Sequence, residues 1–280
     1  MSWSGIAGVI VGIGIAYTGT SIYFLFRPLY KKKKLSFHCP HISHRGGAGE
    51  AIENTITAFD KAVEAGTDML ELDCQLTSDG VVVVAHDADL RRLTGQEAHF
   101  ADLPYHQLPK LNKRQHLQFH PEITITSDEP ESFATLEEVF KRYPHTPINI
   151  DIKTHNLLLI DKVAALIEEY NREELCCWGN FRHETVTACY QRNSRIPLLF
   201  SVRRTLIITA AFYLGLLPFL PIKESCLEIP MPALLLKHPV LASTFFRHGL
   251  CFAICNGEES TSIFGFSTTK KNFKELANLV

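Results

Sequence analysis

Residues 69–76 read Met69-Leu70-Glu71-Leu72-Asp73-Cys74-Gln75-Leu76, an apolar run in which polar side chains recur at every second position. Residues two apart on a strand share a face, so Glu71 and Asp73 point one way while Leu70, Leu72 and Cys74 point the other. Two carboxylates facing an interior repel each other and are costly to bury, and a hard divalent cation is the natural compensation. Outward from this run, short apolar segments at 38–43, 81–86, 148–153, 175–178, 197–202 and 226–229 are expected as further strands. Between them the spacing predicts helices. One is capped by Asn54 or Thr55 and stops at Gly66, one opens at Thr135 with a capping box, and an amphipathic one covers 157–170. Alternating strands and helices, with runs such as Val81-Val82-Val83-Val84 that belong to sheets covered on both faces, favour an α/β fold: a (β/α)8 TIM barrel, with a doubly wound open sheet as second choice. Residues 101–130, polar and rich in His and Pro, read as an insertion after the third strand.

The chain has 280 residues, 28 Lys+Arg against 30 Asp+Glu, a formal charge of -2 and 46% hydrophobic content. That length buries a core as one large domain or two modest ones. The composition excludes a disordered tail, a collagen-like chain and a strongly basic nucleic-acid binder. Eight cysteines without a C-x-x-C pair read as reduced thiols facing the cytosol. Residues 5–26 carry no charged side chain, and 22 residues span about 33 Å as a helix, enough to cross a bilayer. Arg27 and the run Lys31, Lys32, Lys33, Lys34 follow directly, so the positive-inside rule leaves the rest of the chain in the cytosol. A cleaved secretory signal would carry its charge before a shorter apolar region. Residues 1–34 are therefore expected as an uncleaved anchor with a basic segment that attracts anionic headgroups, and 35–280 as the barrel. A second apolar block, 206–222, contains Pro218 and Pro221 and sits at the short limit for a span. It is expected as a loop or helix resting on the membrane at the barrel mouth, ahead of a second span or an ordinary barrel helix.

His44-Arg45-Gly46-Gly47 ends the first expected strand, at the edge where a barrel places its active site, and the glycines let backbone approach a ligand. Asp151 and Lys153 repeat the same-face spacing of Glu71 and Asp73, giving a third oxygen ligand and a cation to oppose phosphate or carboxylate. His86 ends the valine run and is followed by Asp87. Each piece alone has a plainer reading as a structural histidine, an exposed acidic face or a simple ion pair. Together they form a converging polar cluster at the ends of four strands, and the chemistry it fits is phosphodiester cleavage. A cation stabilises the phosphoryl oxygens, one imidazole removes a proton from the nucleophile, and the other protonates the leaving oxygen.

These residues resemble a known family. From His44 to Gly95 the order HRG, ENT, E-x-D, T-x-DG and HD is similar to the glycerophosphodiester phosphodiesterase signature. The similarity runs on through TLEEVF, NIDIK, YNREEL, CWGN and GLLPF to about residue 232, and is nearest to the membrane-anchored mammalian subgroup that acts as lysophospholipase D. The resemblance implies a metal-dependent TIM barrel with His44 and His86 as the acid/base pair, and Glu71, Asp73 and Asp151 as ligands for Mg2+ or Ca2+. Arg45 and Lys153 would contact phosphate, and Glu53 would support the metal site or His44. Where this chain has Asp151 the wider family usually has Glu, one methylene longer. The implied substrates are lysophospholipids, cleaved to lysophosphatidic acid and the headgroup alcohol, or water-soluble glycerophosphodiesters. The implied place is a membrane, the endoplasmic reticulum, with the catalytic domain facing the cytosol and no nucleic acid as partner.

Beyond residue 232 the family's Trp/Asn and Thr-Asp-x-Pro motifs are not recognisable, although 248–256 resembles a degraded seventh strand. The expectation is a barrel incomplete at its C-terminal end, as in an alternative product or a truncated gene. The rival function is a weakly active or inactive membrane-bound protein that acts as a binding partner.

Overall fold

The alternation that defines residues 69–76 recurs along the chain and builds a sheet with a polar inside and an apolar outside. The computed structural model describes residues 2–27, 29, 35–118, 121–230 and 251–255. Its strands are β1 (Ile42–Ser43), β2 (Met69–Leu76), β3 (Val82–Val84), β4 (Arg114–His116), β5 (Thr124–Thr126), β6 (Ile148–Ile152), β7 (Cys176–Gly179), β8 (Cys226–Pro230) and β9 (Cys251–Cys255). Its helices are α1 (Trp3–Phe26), α2 (Ile56–Glu64), α3 (Arg91–Thr94), α4 (Leu136–Arg142), α5 (Leu157–Glu169), α6 (His183–Arg192) and α7 (Val202–Tyr213). The expected lysine run at 31–34, and the expected tail outside β9, lie outside the described residues.

Parallel pairing runs β1, β2, β6, β7. It continues through the single bridges Trp178 to Leu198 and Leu199 to Cys226 into β8 and then β9. The segment expected as a strand at 197–202 is reduced to those two bridging residues, and the weak strand expected near 248–256 is β9. Among the described residues no β9 to β1 pairing closes the arc. One expectation is overturned. The valine run is not a third parallel strand: β3 pairs antiparallel with β2, Val84 opposite Cys74 and Val82 opposite Leu76. The reason lies in Thr77-Ser78-Asp79-Gly80, a tight turn in which the Thr77 hydroxyl donates to Asp79 and Gly80 takes a positive φ of 80°. Such a turn folds the chain straight back as a hairpin.

The outer faces of β2, β6 and β7 bury Leu70, Leu72, Ile148, Ile150 and Trp178 against the helices. Thr55 caps α2, and a complete capping box between Thr135 and Glu138 starts α4. Helix α5, opened by Asn156, presents Leu159, Ile160, Val163 and Ile167 to the sheet. The inner face of β3 helps to carry a second small core, Val83 and Ala85 with Leu90, Leu93, Phe100 and Phe133, which seats the insertion containing the β4–β5 hairpin. At the opposite end of the strands, Cys39, Ile42, Met69, Cys177, Leu199 and Cys226 plug the barrel.

Helix α1 is the one helix among the described residues long and apolar enough to cross a membrane. The apolar block 206–222 is not a single element. Helix α7 supplies its first part, Gly215 breaks the chain with φ of 68°, and a short 3-10 turn follows at Leu217–Phe219.

Replacing Leu72, wholly buried between sheet and helices, with Ala is expected to cost about 2–5 kcal/mol. Removing the capping hydroxyl in Thr135→Ala is expected to cost about 1 kcal/mol. Urea midpoints of the detergent-solubilised chain measure both, and a Leu72→Ala midpoint equal to that of the parent would contradict this packing.

Candidate active site

The site is built at the carboxyl ends of β1, β2 and β6 and just beyond β3. Parallel pairing of β2 with β6 sets Asp73 opposite Asp151 and Glu71 opposite Asn149, so the register alone stacks these polar side chains on one interior face. Both acids of β2 are wholly or almost wholly buried, and Asp151 is little more exposed. The Lys153 ammonium lies between them, 2.7 Å from Asp73 Oδ1 and 2.6 Å from Asp151 Oδ2. Burial alone would raise the Asp73 pKa, but Lys153 and Arg45 outweigh it and hold the carboxyl down at about 2. Burial likewise disfavours the Lys153 charge, while Asp73, Asp151 and Glu71 overcome it and push that pKa up. Glu71 behaves in the opposite way. Burial, then the neighbouring Asp73 and Glu228, drive its pKa well above the usual carboxylate value.

After β1 the backbone turns through three successive left-handed residues, Arg45 (φ 49°), Gly46 (φ 73°) and Gly47 (φ 90°). This aims the Arg45 N–H at Glu71 Oε2, 2.6 Å away, and a Cβ on Gly46 would strike the Phe59 ring at 2.3 Å. A left-handed arginine costs of order 1 kcal/mol or more, which the buried bonds of this residue offset. Its guanidinium donates to both Glu53 oxygens and to Gln118 Oε1 of the insertion, and its Nε stands 3.7 Å from Asp73. His44, just before it, has Nε2 3.9 Å from Glu71 Oε2. Burial and the adjacent Arg45 bring the His44 pKa down to about 3, and His86 is near enough to add to that effect. The His86 Nδ1 is 2.7 Å from Asp87 Oδ1, and Asp87 also accepts from Arg92. Although burial opposes it, the bonds to His86 and Arg92 keep the Asp87 carboxyl well below its ordinary pKa.

A buried pair of acids bridged by an ammonium, with a second cation and two imidazoles beside it, is equipped to hold and cleave a phosphodiester. Comparison with known proteins agrees. Residues 44–206 match the Glycerophosphoryl diester phosphodiesterase family. The chain belongs to this family.

This phosphodiesterase is 49% identical to human lysophospholipase D GDPD1 over 223 residues, which are 79% of this chain and 71% of that protein. It is 37% identical to human lysophospholipase D GDPD3 over 212 residues, 75% and 66% of the two chains. Among solved structures, a putative glycerophosphoryl diester phosphodiesterase from Silicibacter pomeroyi superimposes with a TM-score of 0.60 at 16% identity, covering 86% of this chain and 95% of the other. A phosphodiesterase from Oleispira antarctica, solved in complex with the product sn-glycerol-3-phosphate, gives 0.56 at 17% identity, covering 78% and 93%. These neighbours place the fold as TIM-barrel-like. The protein is an enzyme of the phosphoric diester hydrolase class.

In this phosphodiesterase the structure gathers His44, Arg45, Glu53, Glu71, Asp73, Asp151 and Lys153 into contacting groups, with His86 close by. The support expected of Glu53 goes to two guanidinium groups, those of Arg45 and Arg92. Four residues that the sequence reading did not place in the site take part in it. Asn54, left-handed at φ 58°, donates to Asp73 Oδ2, and Asn180 donates to Asp151 Oδ1. Arg92 ties Glu53 to Asp87, and Glu228 of β8 accepts from Asn149 in the barrel interior. The signals for Asn54 and Asn180 were the ENT and CWGN motifs; Arg92 and Glu228 had none.

The donor set fits a hard cation in chemistry. Six carboxylates, those of Glu53, Glu71, Asp73, Asp87, Asp151 and Glu228, surround three permanent cations, those of Arg45, Arg92 and Lys153. Burial, and after it the nearby Asp73 and Glu228, raise the Glu71 pKa, and Asn54 Oδ1 is a buried oxygen with no hydrogen-bond partner among the described residues. No three acidic, His or Cys groups among the described residues are drawn together as a finished metal cage. Asp151 has both oxygens engaged, by Asn180 and Lys153.

The raised pKa of Glu71 fixes the sign of a stability effect. A carboxyl whose folded pKa exceeds its unfolded value destabilises the fold once pH rises above that unfolded value, and the penalty vanishes in acid. In chelator-treated protein, Glu71→Gln is therefore expected to raise Tm at pH 7 and to leave it unchanged near pH 4. A fall in Tm at pH 7 would contradict this electrostatic picture.

Proposed function

We propose that this phosphodiesterase is a membrane-anchored lysophospholipase D that releases the headgroup alcohol from lysoglycerophospholipids and leaves lysophosphatidic acid. The observation that carries the reading is the Asp73, Lys153 and Asp151 bridge beside Arg45, a cradle of fixed charge for one phosphodiester, in a chain half identical to proteins named lysophospholipase D. Lysolipids are favoured over water-soluble glycerophosphodiesters by the apolar anchor α1 and by exposed apolar side chains on the catalytic rim, Leu157, Phe181 and Val202. Residues 1–34 then act as the anchor and its basic flank, and the barrel from residue 35 works on the cytosolic side of a membrane such as the endoplasmic reticulum.

In the proposed mechanism, Arg45 and Lys153 bind the phosphodiester oxygens and orient the phosphorus. Glu71 and Asp73, with Asp151 where its bonds to Asn180 and Lys153 yield, would hold a divalent cation, Mg2+ or Ca2+. When bound, that cation neutralises charge building on the phosphoryl oxygens. His44 and His86 form the acid/base pair. One takes the proton of the free glycerol hydroxyl as its oxygen bonds to phosphorus, and the other gives a proton to the departing headgroup oxygen as that P–O bond breaks. Water then opens the resulting cyclic phosphate with the proton roles reversed. The bond from Nδ1 to Asp87 leaves His86 Nε2 as the transferring atom.

The test is choline release from lysophosphatidylcholine by the purified full chain, with Mg2+, with Ca2+ and with chelator. The expected result is metal-dependent release that falls about 10²-fold or more in His44→Ala and in His86→Ala. No release from the parent protein with either metal would favour the binding-partner reading, and phosphocholine in place of choline would show cleavage on the other side of phosphorus.

A further inference from the structure

Helix α7 leaves the barrel and returns to the same place. It begins at Val202, capped by Ser201, soon after the bridging residues Leu198 and Leu199, and the chain comes back at Cys226, whose carbonyl accepts from the Phe200 N–H at 2.9 Å. Ser225 N–H donates to the Leu198 carbonyl, and Arg204 is paired with Glu224 across the base of the excursion. Residues before and after the apolar block are thus hydrogen-bonded neighbours on one side of any membrane. The 12 residues of α7 are about 18 Å long, against about 30 Å of hydrocarbon. The block does not cross.

Nor does it behave as a barrel helix. Ala211 is the buried residue of α7, whereas Leu206 is 66%, Phe212 58%, Tyr213 81% and Leu214 69% exposed. Exposed large apolar side chains gathered in one short segment mark a membrane or partner site. What covers it follows from its neighbour. The turn after α7 is docked on α1: the Tyr17 hydroxyl donates to the Gly215 carbonyl, and Phe219 packs its ring 5.8 Å from that of Tyr17 and 5.5 Å from that of Phe24. Gly215 has the left-handed φ of 68°, and a Cβ there would lie 2.3 Å from the Tyr17 hydroxyl, so glycine is required by both the turn and the docking. At its other end α7 starts on the catalytic rim, where the Val202 N–H bonds the Phe181 carbonyl beside Asn180, the residue that holds Asp151.

We propose that α7 and its turn dip into the lipid leaflet as a re-entrant hairpin docked along the spanning helix, and so hold the catalytic rim against that leaflet. The turn meets Tyr17, about 13 Å along α1 from its Phe26 end. The occupant of the exposed apolar face is the bilayer itself, because the face is continuous with the helix that would span it. The Arg204–Glu224 pair stays at the polar base, while the helical backbone satisfies its own hydrogen bonds within the lipid. The arrangement would let a single-chain lipid reach Arg45 and Lys153 without leaving the membrane surface.

This proposal rests on α1 being a membrane span, and the test separates the two. The full chain carries two tryptophans, Trp3 and the wholly buried Trp178. In a Trp3→Phe background, Ile13→Trp reports on the span and Phe212→Trp on α7, each reconstituted in phosphatidylcholine vesicles brominated either near the headgroup or near the chain end. The expected result is stronger quenching by deep bromines than by shallow ones at both probes. Adding Gly215→Val is expected to lower the deep quenching at Phe212→Trp at least twofold while Trp178 emission is unchanged. A Phe212→Trp probe untouched at either depth, or quenched chiefly near the headgroup, overturns the re-entrant element while leaving the span intact. An Ile13→Trp probe without quenching overturns the span, and this proposal with it.

Discussion

An excess of negative charge, buried at one end of a cylinder of strands, is the constraint around which this phosphodiesterase is organised. Glu71, Asp73 and Asp151 are placed together by strand register, and nothing in hydrophobic packing would put them there. Buried ion pairs are weak sources of stability, because desolvation cancels much of the attraction. The cluster is intelligible as a site that trades stability for chemistry. Lys153 and Arg45 neutralise part of it, and burial, followed by the neighbouring Asp73 and Glu228, still holds the Glu71 pKa well above the usual carboxylate value.

Much of the surrounding structure serves that cluster. The three left-handed residues after β1 exist to point one N–H at Glu71, and the absent side chain of Gly46 is what lets Phe59 close beneath them. The three letters of ENT divide the work: Glu53 clamps Arg45 and Arg92, Asn54 holds Asp73, and Thr55 starts the helix that packs behind. The insertion contributes too, since Gln118 reaches Arg45 from the segment after β4. One turn without a side chain at Gly215 joins the long apolar helix α1 to the barrel.

The sequence made β2 legible, because its alternation of apolar and polar side chains runs unbroken from Leu70 to Leu76. The capping box at Thr135 and the amphipathic α5 were equally plain, each being a local signal. The valine run misled for a physical reason. Four consecutive apolar residues state burial on both faces but not direction, and direction was written in the preceding Thr-Ser-Asp-Gly turn. In the site, the residues that bear charge at strand ends were readable from spacing and family resemblance. Their partners Arg92 and Glu228 were not: Glu228 reaches the cluster from a strand distant in sequence, Arg92 reaches Glu53 across 39 residues, and neither carries a pattern of its own.

The central claim is that this interior is short of positive charge and accepts one hard cation. Calorimetric titration of Mg2+ and of Ca2+ into the chelator-treated full chain at pH 7 measures it directly, independently of turnover. The account predicts one saturable site per chain, abolished in Glu71→Gln and in Asp73→Asn and retained in His86→Ala. Absence of binding by the folded parent protein, or binding that survives both acidic substitutions, would contradict it.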